Sequence, residues 1–181
     1  MSKTTAGYSP AQIGLHWAVV VLVAFQFAAH NGIEAAWTAL LRSGDSRAGT
    51  VVLAYMHIGA GMAIFVLALV RIYLRLTRGA PPPPADEPKL LQLLAESVHV
   101  AIYGLLLVLP LTGMAAWFVP LPVAGSIHAL LTNALLAAIS LHVAGALFQH
   151  FIRRSEVLVR MFRPQPDGSA APAQSAATPP T

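Results

Sequence analysis

Four apolar segments, residues 13–29, 51–74, 94–119 and 126–152, constrain this chain more than any other feature. At 1.5 Å per helical residue the three longer ones outrun a hydrocarbon core about 30 Å thick, and the first crosses it once its polar ends are counted. Such lengths do not suit buried helices of a soluble domain. Composition agrees: the 181 residues are 56% hydrophobic and 10% charged, with a mean hydropathy of +0.66, too apolar for a soluble globular protein. The expected fold class is therefore all-α, an integral membrane four-helix bundle. The run ending Phe27-Ala28-Ala29 has the look of a secretory leader. Yet Lys3 is the only charge before it, and His16 and Trp17 interrupt its apolar core, so it reads as an uncleaved helix.

The cations set an expected orientation. Lys3, Arg71, Arg75, Arg78, Lys89, Arg153, Arg154, Arg160 and Arg163 fall on one side of such a bundle, and only Arg42 and Arg47 on the other. The positive-inside bias then places both termini and the loop between the second and third segments in the cytoplasm, with the bundle in the inner membrane. The net charge of +4 follows from this topology, and nucleic acid is not an expected partner. Pro81 to Pro84 cannot continue a helix and predict an extended spacer between two hairpins. From residue 164 to 181 the chain is Pro, Ala, Ser, Gln and Thr with almost no large apolar residue, which predicts a disordered tail after a transmembrane domain of residues 1–163.

Seven histidines remain to be sorted. His128 and His142 are fourteen positions apart, a helical advance of roughly 21 Å that falls about 40° short of four turns, so both face one side of one helix at two depths. With segments alternating in direction, His16 comes to the depth of His142 and His57 to that of His128. Imidazoles facing each other across a bundle can fill both axial positions of a haem iron, which predicts two bis-histidine haem sites. Cysteine is absent, which excludes covalent CxxCH attachment and thiolate clusters, so any haem must be held non-covalently. Three rivals stay open. His30, fourteen after His16, is expected on the same face near the outer pair, where it competes with His57 or His128. His99 has the depth of the inner pair, as a ligand or a polar partner, and His150 falls among headgroups. Arg71, fourteen after His57, is a candidate partner for a haem propionate at the inner level, with a simple interfacial anchor as the alternative.

Ile13-Gly14-Leu15-His16-Trp17, Met56-His57-Ile58-Gly59 with Leu69-Val70-Arg71, Val98-His99-Val100-Ala101-Ile102-Tyr103 leading to Leu109-Pro110-Leu111-Thr112-Gly113, and Ser126-Ile127-His128 followed by Leu141-His142 resemble the bacterial cytochrome b561 family. The resemblance runs from about Tyr8 to Arg163. It implies a four-helix bundle with two haems b, one held by His16 and His142 and the other by His57 and His128. It also implies electron exchange with the quinone pool, in some members by oxidising superoxide with ubiquinone as acceptor. The uncharged loop at residues 120–125 is shorter than the outer segment some members carry there.

Two functional classes follow. In one, the protein is a stand-alone superoxide:ubiquinone oxidoreductase whose outer haem draws the anion through Arg42 and Arg47. In the other, it is the cytochrome subunit of a larger membrane dehydrogenase or hydrogenase and takes electrons from a donor protein. A purely structural bundle is the third reading.

Overall fold

The computed structural model describes residues 7–43, 51–84 and 86–164. They form five α-helices and one short 3-10 turn: α1 Pro10–Ala28, α2 His30–Ser43, α3 Val51–Arg78, α4 Lys89–Phe118, α5 Pro122–Phe151 and the turn Val159–Met161. No strand occurs among the described residues. Four of the helices, all but α2, are long and apolar enough to cross a membrane. The fold is thus an all-helical membrane bundle.

Local chemistry sets the helix ends. Ser9 caps α1: its hydroxyl accepts from the Gln12 amide at 3.3 Å while Gln12 Oε1 accepts from the Ser9 amide at 3.0 Å. Pro10 follows at the position where a missing N–H costs nothing. Gly79, at φ 84°, ends α3 in the left-handed region, and its amide donates to the Arg75 carbonyl. α4 carries Pro110 inside it, which leaves the Leu106 carbonyl without its usual helical donor. α5 begins at Pro122, a turn earlier than the apolar pattern suggests.

The helix of the first span is interrupted, and His30 does not continue α1. Ala29, at φ −86° and ψ 0°, ends α1, and α2 starts at His30. The fourteen-residue argument that put His30 on the face of His16 assumes one uninterrupted helix, which Ala29 breaks, yet His30 does lie near the outer pair and lines one cavity with His57 and His128. α2 is amphipathic, with Ile33, Trp37 and Leu41 on one face and Glu34, Thr38 and Arg42 on the next. Arg47 and the tail from residue 165 lie outside the described residues, as does Lys3.

Close helix packing joins α4 to α5, α1 to α3, α3 to α4, and α2 to α3. Neither α1 nor α3 packs as closely against α5. Val19, Ile64, Ala68, Leu106, Leu109 and Leu135 form a buried cluster drawn from all four long helices. Outward-facing Val21, Val52, Leu76, Val100 and Leu130 are exposed, as lipid-facing side chains of a membrane helix are.

Candidate functional site

Across the open seam between α5 and the α1/α3 pair, four imidazoles meet in two pairs. The ring centres of His16 and His142 lie 6.3 Å apart with planes at 67°. Those of His57 and His128 lie 6.2 Å apart, also at 67°. With a ligand nitrogen about 2.0–2.1 Å from a first-row metal and the ring centre roughly 1 Å behind it, two imidazoles on opposite sides of one iron have centres about 6 Å apart. Both pairs have that spacing, and the seam is wider there than a packed helix contact. Each pair would therefore fit a haem held between its two imidazoles. Among the described residues no three His, Cys, Asp or Glu side chains converge as a metal site of protein ligands alone.

The His57–His128 pair lines a cavity of 520 Å³, within the roughly 300–1,000 Å³ of cofactor pockets. Its walls come from α1, α3, α4 and α5, and α2 covers one side with Ile33, Trp37 and Leu41. His128 is held from behind. Its Nδ1–H donates to the Leu109 carbonyl at 3.0 Å and lies 3.2 Å from Thr112 Oγ1, which itself donates to Leu109. A histidine fixed at Nδ1 leaves Nε2 as its ligand nitrogen. Gly113 makes this approach possible, since a Cβ there would sit 3.1 Å from His128 Cε1. On the opposite wall, His57 Nδ1 and Gln26 Oε1 are buried without a partner, although Gln26 Nε2 donates to the His57 carbonyl at 3.0 Å. Leaving such groups unpaired costs about 1–3 kcal/mol each, so they mark unmet polar demand beside His57.

At the other level, His99 packs edge-on against His142 with ring centres 4.9 Å apart. Its Nδ1–H donates to the Ala95 carbonyl at 2.6 Å, so its free nitrogen is Nε2. Arg71 is half-buried; it donates to the Gln12 carbonyl and to the Tyr103 hydroxyl, both at 3.4 Å, and lies 5.9 Å from the Tyr103 ring centre. Its charge is felt at His16, His99 and His142. Among the described residues it has no carboxylate partner, so its positive charge is unmatched at this level. Tyr8, just ahead of α1, stands in the same cationic end: burial pushes its phenol up, against the pull of Arg75, Arg71 and Arg160.

The remaining histidines lie elsewhere. His30 pairs with Glu34 at 3.8 Å, on the rim of the 520 Å³ cavity. His150 stacks edge-on with Phe151 at the end of α5. Three features escaped the sequence reading. Tyr103 receives Arg71, a contact foreshadowed only by its place four residues after His99. Gln26 backs His57. The segment after α5 folds back on the bundle: Trp17 Nε1 donates to the Met161 carbonyl at 2.9 Å, Arg153 pairs with Asp86 at 2.9 Å, and Gln149 donates to the buried carboxylate of Glu87.

Known proteins resemble the chain along nearly its whole length. The profile of the prokaryotic cytochrome b561 family matches residues 7–164. Cytochrome b562 of Cereibacter sphaeroides is 35% identical over 162 residues, covering 88% of this chain and 97% of that protein. A probable superoxide oxidase CybB of Yersinia pestis is 30% identical, covering 85% and 94%. Cytochrome b561 homolog 1 of Escherichia coli is 28% identical, covering 85% and 96%. The paired histidines, the apolar bundle and these relatives agree: the chain belongs to the prokaryotic cytochrome b561 family, whose cofactor is haem b.

Proposed function

We propose that the protein is a di-haem b-type cytochrome of the inner membrane that passes electrons to the quinone pool, oxidising superoxide with ubiquinone as acceptor. The observation that carries this reading is the pair of imidazole pairs, 6.3 and 6.2 Å apart, on opposite walls of one seam. His16 and His142 hold one haem, His57 and His128 the other, and Arg71 partners a propionate at the first. The Yersinia relative named as a probable superoxide oxidase supports the choice of donor. Bound haem supplies one-electron iron chemistry that no side chain of this chain offers. The chain's own part is to fix the ligands and shut out water. Leu109 and Thr112 hold the His128 tautomer, α2 covers the cavity, and Arg71 offsets negative charge.

The overall conversion balances as two superoxide anions, one ubiquinone and two protons giving two dioxygen molecules and one ubiquinol. Both termini lie in the cytoplasm in this reading, so α2 and the His57–His128 level face the periplasm, and residues 1–163 make up the transmembrane domain. The test is the purified protein alone, in detergent, given superoxide and ubiquinone. Ubiquinol formation that outpaces spontaneous dismutation is expected. No superoxide reaction, with rapid turnover on adding a membrane dehydrogenase or hydrogenase, transfers the assignment to the electron-transfer subunit.

A further inference from the structure

His16 and His128 are held in different ways. The Leu109 carbonyl fixes His128 from behind, whereas no hydrogen bond reaches the His16 ring among the described residues. Its ring neighbours are His142 across the seam and Trp17 beside it on α1. Trp17 meets it edge-on, with ring centres 5.6 Å apart and planes at 74°. Consecutive helical side chains point about 100° apart, so this contact depends on where the Trp17 indole is turned. Two contacts from the other end of the chain turn it. Its Nε1–H donates to the Met161 carbonyl at 2.9 Å, and the Phe162 ring lies 5.0 Å from the indole with planes tilted by 44°.

Met161 and Phe162 end a strap that begins where α5 stops. Arg154, at φ 54°, turns the chain back, and the Ser155 amide donates to the Gln149 carbonyl. The strap is moored on its way to Trp17: Arg153 pairs with Asp86 at 2.9 Å, and Arg160 donates to the Pro82 carbonyl at 3.1 Å, both in the connection between α3 and α4. Close helix packing does not join α1 to α5. The strap, continuous with the helix that carries His142, instead reaches across to the helix that carries His16.

We propose that the strap positions His16: Met161 and Phe162 seat Trp17, and Trp17 sets the turn of the His16 ring, so that the strap fixes the angle at which this imidazole meets the iron. Groups behind a ligand commonly orient it and tune the metal, and here the group behind is an indole rather than a hydrogen-bond acceptor. Trp17, Met161 and Phe162 are positioning residues that act through His16. The inference rests on the proposed axial pairing of His16 with His142.

The test uses the full-length, haem-loaded protein. His142→Ala identifies by its loss the spectral component of the His16–His142 haem, and His128→Ala that of the other. Trp17→Phe keeps a ring but no donor, and Phe162→Ala removes the ring that seats the indole. In both variants the EPR signal of the first component should shift and its midpoint potential should move. Its haem should also pass to apomyoglobin about fivefold to tenfold faster. The second component should keep its signal, potential and rate of loss, and Phe162→Tyr should restore the parent values of the first. A strap that only stabilises the bundle would speed the loss of both haems alike and shift neither signal. That outcome, an unmoved first component, or a Phe162→Tyr protein that behaves like Phe162→Ala overturns the positioning role. Loss of one and the same component in His142→Ala and His128→Ala would instead overturn the axial pairing, and the strap's role with it.

Discussion

His128 shows what a single residue needs to serve as a proposed ligand. Its position was legible from spacing alone, because fourteen helical residues return to nearly the same face. Its support was not legible, since the Leu109 carbonyl, the Thr112 hydroxyl and the bare Cα of Gly113 reach it from another helix nineteen to fifteen positions earlier in the chain. Leu109-Pro110-Leu111-Thr112-Gly113 thus takes on a physical meaning as the cradle of one imidazole. Gly113→Ala puts a methyl 3.1 Å from His128, so the ring must give by a few tenths of an ångström, and should weaken haem retention at the His57–His128 level while sparing the other. Absorbance and EPR of the purified variant check this; uniform loss of both components would point to a misfolded bundle instead. Arg71 was legible by depth as a cation facing the inner pair, but its rest on Tyr103 was not, because the contact depends on how α3 and α4 rotate against each other.

At the scale of the element, α2 is the part that hydropathy averaging conceals. Its fourteen residues mix Glu34, Arg42 and Asn31 with Ile33, Trp37 and Leu41, so no apolar run announces it. The periodic signal was present, since 33, 37 and 41 recur every four positions and lie on one face. Trp37 is its anchor. Its indole packs against Gly125, where a Cβ would stand 3.0 Å from Trp37 Cζ2, and it forms part of the cavity wall. Trp37→Ala should loosen this cover: a neutral water-soluble reductant should reduce the haem at that level several-fold faster, without a change in the spectrum of the other. Equal rates in the two proteins would show that α2 does not limit access. The four long helices, by contrast, were legible within a few residues at each end. The differences fall where caps decide, as at Ser9-Pro10 and Leu121-Pro122, rather than where apolar residues do.

For the whole molecule, the arrangement is a bundle packed along α1, α3, α4 and α5 and held apart on one side. The sequence carries the reason for four helices and for their polarity. It does not carry the open seam, which arises from which helix faces pack and which are left for a ligand. The proposed orientation rests on the cations and can be read directly with impermeant thiol reagents. Asn31→Cys, on the exposed start of α2, should label in spheroplasts, and Glu156→Cys, beyond α5, should label only after lysis. The reverse pattern would invert the topology and the side from which a donor approaches.

The central claim is that four histidines form two separate axial pairs. Haem extracted from the purified protein, counted against protein by amino-acid analysis and matched to the low-spin spectrum before extraction, tests it most directly. Two low-spin haems b per chain are expected, falling to one in His128→Ala and in His142→Ala with different spectral components surviving. One haem per chain in the parent protein, or the same component lost in both variants, would contradict the pairing.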